Sequence, residues 1–403
     1  MEFKIAVRNV FRNRRRTAFS LAVIVVGTVI FLVLLAFLRE TLRSTERSLA
    51  CETGAVQVAD LRLFENRTSG YDYLIAPATR EEVVALVSTM PGVMGVTWQL
   101  GFAGLVGDEK GSTLVLGRGV IPCNCVNDYE CLVTTGDPLP EDDSRAAILG
   151  RALARKLGVA VGDRVNIATG TAAGNFNAAT VSVLGELSYN PETLEEQLAL
   201  FPLGFVQRLL KTDGVERILI GLEDLTAADD FSAELSRKLA DAGIPLATRT
   251  WKDLSPSYES LSVFYAAFSG LAGLAVFALV FFSVIEVLTI AFLERVREVG
   301  TVRAFGATRG RVFRTFLLEG ALIGAMGGVL GVTLGVVIVL AFNAAGVAWT
   351  PPGAAVPQPI RLAVGVSTVV IPLVTALAAT WVSALYPAWK NARRRVVEAL
   401  HSA

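Results

Sequence analysis

The residue types that most often perform chemistry are scarce in this chain. Among its 403 residues there is one histidine, His401, so a histidine-based catalytic triad or a multi-histidine metal site does not fit within it. It has neither the phosphate-binding pattern G-x-x-x-x-G-K-[ST] nor the dinucleotide-binding pattern G-x-G-x-x-G. We therefore expect no catalytic residues, no cofactor and no metal in this chain, and no ATP bound by a recognisable motif.

Four cysteines are the exception, because thiols form disulfides and bind metals. They are Cys51, Cys123, Cys125 and Cys131. In an oxidising compartment four cysteines allow three pairings. Cys123 and Cys125 are too close in sequence to favour each other, and Cys51 either stays a free thiol or pairs with one of the other three. A metal site is the weaker alternative because no histidine supports it.

The stretch Glu294–Gly310, ERVREVGTVRAFGATRG, has the composition of a segment that another protein recognises by charge. A short amphipathic helix with Gly300 and Gly306 at its bends can be bound by a partner protein and displaced as a rigid body. Arg303 offers a planar fork suited to a carboxylate or to backbone carbonyls. The alternative is that the arginines only fix membrane topology, but topology requires neither the glutamates of this stretch nor its glycines.

The segments on either side of this stretch are apolar enough to cross a membrane. Hydrophobic residues make up 53% of the chain and charged residues 18%, which is typical of a membrane protein with a sizeable polar part. The formal net charge of zero predicts no general attraction to nucleic acid. Four segments exceed the roughly 20 apolar residues that a bilayer requires, namely 17–38, 263–293, 315–342 and 362–386.

The distribution of lysine and arginine predicts the orientation of these spans. Basic residues are concentrated in the leader 1–16, the central segment 294–314 and the tail 387–403, and such segments remain on the cytoplasmic side. The long region 39–262 and the short loop 343–361 are then outside. The leader is predicted to be an amphipathic helix on the inner surface, or alternatively a plain topology signal.

Helical patterns continue beyond the first two spans. A helix over 17–50 would be about 50 Å long, whereas the apolar core of a bilayer is about 30 Å thick. The second span has a similar lead-in, so that 256–293 forms one continuous element. We therefore predict two helical stalks that join the spans to the outside domain.

The outside domain divides into two parts. Strand–helix–strand patterns occupy both of its ends, 51–100 and 215–255, which favours one α+β subdomain assembled from the two ends of the region. The stretch between them, 101–214, predicts an inserted and mostly β subdomain, with a short helix at 151–157 and a longer one at 194–210.

Small residues in the third span predict close helix packing. Glycines recur at steps of four, a spacing that lets helix backbones approach closely, either within the chain or across a dimer. The two series are Gly320, Gly324 and Gly328, and Gly327, Gly331 and Gly335.

Three stretches resemble one family of membrane proteins. Residues 294–320, ERVREVGTVRAFGATRGRVFRTFLLEG, and 386–400, YPAWKNARRRVVEAL, are similar to the cytoplasmic loop and the C-terminal signature of the MacB/LolC/LolE/FtsX permeases, the type VII ABC transporter membrane subunits. Residues 147–167, AILGRALARKLGVAVGDRVNI, followed by LFPLGFVQRLL, resemble the extracytoplasmic domain of the MacB and LolC/LolE branches. The resemblance implies four transmembrane helices with a large α+β extracytoplasmic domain, in which the split subdomain is porter-like and the insert sabre-like.

The resemblance also implies partners and a role. The permease would pair with a copy of itself or with a related subunit and bind an ATPase chain that holds ATP and Mg²⁺, in a bacterial inner membrane. It would transmit ATPase-driven motion to a periplasmic domain that releases lipoproteins or exports amphipathic substrates, in some members of the family with a periplasmic adaptor. The residues implied to couple to the ATPase are Glu294, Arg295, Arg297, Glu298, Gly300, Arg303, Ala304 and Gly306.

Several alternatives remain open at this point. An FtsX-like member would activate a periplasmic hydrolase without moving a substrate, although its outside domain would be shorter. A MacB-like member would work in tripartite efflux, and a receptor would need no ATPase. Glu286 departs from the family pattern: an acidic residue inside a span is costly and often functional, but it could also extend its side chain to the inner interface.

Overall fold

The computed structural model describes residues 6–8, 12, 14–68, 70–108, 111–121, 133–140, 143–188, 192–294, 296–349 and 358–393. Described residues group into two compact units. Unit 1 comprises those within 1–43, 261–347 and 359–403, and unit 2 comprises those within 44–260 and 348–358.

Long helices account for most of unit 1. They are α1 (Arg14–Thr53), α8 (Pro256–Glu294), α10 (Arg309–Ala344) and α11 (Val366–Arg393), with the short helix α9 (Val296–Ala304) between α8 and α10. Within the described part of the chain, four helices are long and apolar enough to cross a membrane, as predicted. With 40 and 39 residues at about 1.5 Å each, α1 and α8 are about 60 Å long.

The glycines of α10 lie against two different helices. A Cβ at Gly320 would lie 2.6 Å from the Cβ of Ala384, and Gly324 and Gly328 likewise meet α11. A Cβ at Gly331 would lie 2.7 Å from the Cβ of Thr28, and Gly327 and Gly335 likewise meet α1. Each glycine series therefore packs α10 against one neighbour within the chain.

Unit 2 is built on a mixed sheet. In the described residues the sheet has ten strands, in the order β10-β1-β9-β2-β3-β8-β5-β7-β4, with β6 paired to β2 and β7. The strands are β1 Val56–Ala59, β2 Val93–Asp108, β3 Gly111–Val120, β4 Val133–Gly136, β5 Ala146–Gly150, β6 Arg164–Gly170, β7 Phe176–Leu187, β8 Leu198–Pro202, β9 Arg217–Leu222 and β10 Ala247–Thr250. A separate short pair joins β11 Ala348–Trp349 to β12 Gln358–Pro359.

One strand crosses the boundary that was predicted between residues 100 and 101. The first half of β2 pairs with β9, and residues 100–108 pair with β3. The two ends of the region do meet in one sheet, because β1 lies between β9 and β10. The predicted division thus falls in the middle of a continuous strand rather than at a linker.

One sequence prediction about the helices of unit 2 is wrong. They are α2 Leu61–Phe64, α3 Pro77–Ser88, α4 Arg151–Leu157, α5 Glu192–Glu195, α6 Leu203–Leu210 and α7 Ala228–Asp241. The predicted helix over 194–210 is interrupted by β8. All five residues of β8 are buried, and β8 pairs with β3 and β5, so burial in the sheet overrides the helical pattern.

An aromatic contact connects α8 with the sheet inside unit 2. Trp251, directly after β10, is 2% exposed, and its ring meets that of Tyr258 edge-on at 4.7 Å. The Tyr258 hydroxyl donates a hydrogen bond to Glu46 of α1. Burial and this carboxylate raise the pKa of Tyr258, so the phenol keeps its proton.

The cysteine prediction falls largely outside the described residues. Cys51 is half-buried in the last turn of α1. Cys123, Cys125 and Cys131 lie outside the described part of the chain, so a disulfide remains a prediction.

Candidate functional site

The candidate site is the segment between α8 and α10, which folds as a short helix with a fixed end. After α9, the Ala307 N–H donates to Val302 O at 3.3 Å, and the Gly306 N–H donates to Arg303 O at 3.0 Å. This pair of bonds is a Schellman cap, which requires a left-handed residue, and Gly306 has φ +96°. The Thr308 side chain then caps α10 by accepting from the Arg311 N–H at 3.3 Å. Gly306 therefore forms a sharp turn of defined geometry between α9 and α10 rather than a flexible link.

One face of α9 is buried and the other is open. Val296 and Gly300, four residues apart, are buried, and Val299 packs on the core of unit 1. Arg297 and Glu298 are exposed. Buried positions four residues apart seat α9 on unit 1, so that it presents its opposite face outward.

The predicted coupling residues are distributed over this segment. Glu294 ends α8 and is exposed, Arg303 is half-buried near the end of α9, and Ala304 is exposed. Arg295 lies outside the described residues. The structure thus places the described members on one short stretch of chain.

An ion pair ties the leader to α9. One nitrogen of the Arg12 guanidinium lies 2.8 Å from both carboxylate oxygens of Glu298. The two side chains are 50% and 58% exposed, so the pair contributes about 0–1 kcal/mol of stability. Glu298, predicted to meet the ATPase, is therefore already in contact with the chain's own leader.

Two exposed apolar side chains were missed by the sequence reasoning. Phe305 is 93% exposed, and Val302, three residues earlier, is 55% exposed. Both belong to the turn that ends α9, where residues three apart share a face. The available signal was an aromatic residue next to Gly306 in an otherwise polar stretch.

The arginines at the start of α10 lie near the helix N-terminus, where the helix dipole disfavours positive charge. Arg309, Arg311 and Arg314 occupy its first turns, and no acidic residue lies in the first turn. The N-terminus of a helix carries partial positive charge, which disfavours cations in the first turn, here Arg309 and Arg311, by about 0.3–1 kcal/mol each. The helix dipole therefore does not account for these arginines, whereas the predicted cytoplasmic position of the segment does.

The two acidic residues of the spans differ in surroundings. Glu319 is 5% exposed within unit 1. Glu286 is exposed on α8, eight residues or about 12 Å before Glu294, and it has no hydrogen bond or ion pair to any residue that the structure describes.

Comparison with known proteins covers both units. Residues 17–238 match the family model described as MacB-like periplasmic core domain, and residues 270–395 match the FtsX-like permease C-terminal region. Two curated relatives, both "Lipoprotein-releasing system transmembrane protein LolC" from Xylella fastidiosa strains Temecula1 and 9a5c, are 27% identical over 342 residues. The match covers 79% of this chain and 80% of each relative.

Solved structures show more distant likeness. The periplasmic region of MacB from Actinobacillus actinomycetemcomitans is 15% identical, with a TM-score of 0.39 over 51% of this chain and 92% of that one. The extracellular domain of the transporter YknZ from Gram-positive bacteria is 16% identical, with a TM-score of 0.36 over 48% of this chain and 99% of that one. These two likenesses are too distant to bear on function.

Proposed function

This chain belongs to the MacB/FtsX/LolC-type family of ABC transporter permeases, and we propose that it couples an ATPase on the cytoplasmic side to its periplasmic domain. The family consists of membrane permease subunits that are not themselves catalytic. The predicted fold class, four spanning helices with a large α+β extracytoplasmic domain, is confirmed by the helices and the family matches together.

The observation that best supports the proposal is the structure of the segment after α8. A capped helix is seated on unit 1 through Val296 and Gly300, and its turn presents Phe305 at 93% exposure. Aromatic side chains and arginine are enriched at protein–protein contacts, and an aromatic anchor can fill a pocket on a partner. The cap at Gly306 fixes the direction of the turn, so we infer that force applied to Phe305 is transmitted to α9.

Transmission of that motion rests on α1 and α8. Each contributes residues to both units, and each is about twice the length that a bilayer core of about 30 Å requires. Inside unit 2, Tyr258 of α8 bonds Glu46 of α1 and packs on Trp251. We infer that the two helices act as paired levers on the sheet.

For the substrate we propose a lipoprotein or another amphipathic molecule, which is released or exported from an inner membrane. In this proposal both termini of the permease chain lie in the cytoplasm. The relatives that bear the name of a lipoprotein-releasing system support this class. A second permease subunit, identical or related, is part of the proposal, as is an ATPase that alone binds ATP and Mg²⁺.

The test is a mild-detergent pull-down of the full chain from native membranes, with partners identified by mass spectrometry. An ATPase with a second permease and lipoproteins supports release of lipoproteins. An ATPase with a periplasmic adaptor and an outer-membrane channel supports tripartite efflux instead, and a cell-wall hydrolase supports an FtsX-like activator. Recovery without any ATPase contradicts the proposal.

A further inference from the structure

Glu286 lies where an ionisable side chain is costly. It belongs to the apolar stretch of α8, and the end of that helix at Glu294 is about 12 Å away, farther than a glutamate side chain reaches. The Glu286 side chain is exposed and has no hydrogen bond or ion pair to any described residue. Acidic residues within spans almost always face the interior of a helix bundle or a water-filled cavity, where they find a partner. The proposed coupling function makes no use of Glu286.

The side of α8 that packs within the chain is the opposite one. Val280, Val284 and Leu288, at steps of four, are buried in the core of unit 1. At 3.6 residues per turn, Glu286 lies about 160° around the helix from Val284 and from Leu288. The most apolar stretch of α8 is 17% buried, whereas those of the other three spans are 28–44% buried. The described part of the chain therefore leaves one face of α8 uncovered, and Glu286 is on it.

Large apolar side chains continue this face on both sides of Glu286. Leu279, Phe282, Ile290 and Leu293 are 42–66% exposed. Together with Glu286 they recur at steps of three or four, which is the spacing at which one helix packs along another. Lipid tails can cover the four apolar side chains, but they offer no hydrogen bond to a carboxyl group. The face therefore has the properties of a helix contact rather than those of a surface built only for lipid.

A second polar group without a partner lies one turn away. Ser283 precedes Glu286 by three residues and is half-buried, and its hydroxyl has no hydrogen-bond partner among the described residues. Thr289 differs, because its hydroxyl donates to Ile285 O of the same helix at 2.6 Å. The uncovered face of α8 thus carries a hydroxyl donor and a carboxyl acceptor side by side, and neither is used within the described chain.

We propose that this face of α8 binds the same face of α8 in a second copy of the chain, and that Glu286 specifies the pair. The inference rests on the proposed function, which includes a second permease subunit, and it names the contact between the two. In a two-fold symmetric pair of parallel helices, each contact is made twice. Ser283 of each copy then donates to Glu286 of the partner subunit, so that all four polar groups are satisfied.

The self-complementary arrangement is the reason for choosing a second copy as the occupant. A partner of different sequence would have to supply both an acceptor for Ser283 and a donor for Glu286, whereas a second copy supplies both at the same depth in the membrane. A single polar residue in an apolar helix seam also fixes register and the choice of partner, because any other alignment leaves it unpaired in an apolar environment.

The experiment measures self-association of the full chain in liposomes of phosphatidylethanolamine and phosphatidylglycerol. Copies that carry a donor or an acceptor fluorophore are mixed, and energy transfer is followed as lipid dilutes the protein. The expected result is transfer between unmodified copies. Glu286→Leu should weaken association at least fivefold, because two interhelical hydrogen bonds are lost, and Ser283→Ala should weaken it as well. Glu286→Gln should associate as the unmodified chain does, because its amide oxygen still accepts from Ser283.

The matched control is Thr333→Leu, which also replaces an exposed polar side chain of a span by leucine. It lies on α10, and its hydroxyl is bonded to Val329 O of the same helix at 2.8 Å, so its loss should leave association unchanged. Three results would overturn the inference: no energy transfer between identical copies, unchanged association of Glu286→Leu, or an equal loss with Thr333→Leu. ATPase that co-purifies with the same variants separates the two proposals, because its absence from the unmodified chain contradicts the coupling function alone.

Discussion

The helices of unit 1 and the sheet of unit 2 are held together in opposite ways. In unit 1 the closest approaches occur where side chains are absent, as at Gly331 against Thr28 and Gly320 against Ala384. In unit 2 the core consists of large side chains such as Phe201 and Leu149, neither of them exposed. Helices in lipid gain little from hydrophobic burial and depend on fit, whereas a sheet in water depends on burial itself.

This difference predicts opposite sensitivities. Unit 1 should be most sensitive to atoms added at its helix contacts, and unit 2 to atoms removed from its large buried side chains. The following variants are ordered from the largest expected effect to the smallest.

Gly331→Leu should abolish the folded state of unit 1. Even the first added carbon would lie 2.7 Å from the Cβ of Thr28 and 3.2 Å from the backbone oxygen of Val25, and the backbone cannot yield as a flexible side chain does. We expect a loss of at least tenfold in monodisperse protein on size-exclusion chromatography of a fluorescent fusion. Gly270→Leu is the control, because a Cβ there meets nothing within 4 Å. Normal yield of Gly331→Leu would refute packing by glycine.

Phe201→Ala should destabilise unit 2 by about 3–5 kcal/mol, because it leaves a cavity beside Phe102 and Phe205. Hydrogen exchange of the sheet amides measures the loss. Phe176→Ala makes the same change at a residue that is 76% exposed and should shift stability by about 0.5 kcal/mol or less. Equal effects of the two variants would show that burial does not dominate in unit 2.

Tyr258→Phe should cost about 1 kcal/mol, because it removes the hydrogen bond to Glu46 while keeping the ring on Trp251. Faster amide exchange over residues 44–53 of α1 is the expected signature. If exchange there is unchanged, the hydroxyl does not hold α1 in place, and the proposal that α1 and α8 act as paired levers loses the contact that joins the two helices.

Arg12→Ala should change stability by less than about 1 kcal/mol, since the pair with Glu298 is exposed. A double-mutant cycle with Glu298→Ala, followed by thermal unfolding at low and high salt, measures the coupling energy. A coupling of several kcal/mol would mean that the leader is held far more tightly than its exposure allows.

The sequence was most informative where one environment acts on a long segment. The four spans follow from runs of apolar residues, and the two glycine series at steps of four follow from one helix that meets two neighbours. The pairing of both ends of the outside region in one sheet also followed from its repeated strand–helix–strand pattern. These features depend on periodicity, which is visible without any knowledge of tertiary contacts.

The sequence was least informative where contacts between residues distant in sequence determine the local structure. The run Leu198–Pro202 has a helical composition, but its pairing with β3 and β5 makes it a strand. Strand β2 gives no local sign that it exchanges one partner for another near Leu100. The exposure of Phe305 depends on the Schellman turn at Gly306, and the seating of α9 on unit 1 depends on packing that no local pattern shows.

The measurement that tests the central claim most directly compares Phe305→Ala with Phe176→Ala, an aromatic residue of similar exposure in unit 2. Each full-length variant is purified gently from native membranes, and the co-purified ATPase is quantified. Coupling through the segment after α8 predicts at least a tenfold loss of ATPase for Phe305→Ala and none for Phe176→Ala. Wild-type amounts of ATPase with Phe305→Ala, and again with Arg303→Ala, would contradict it.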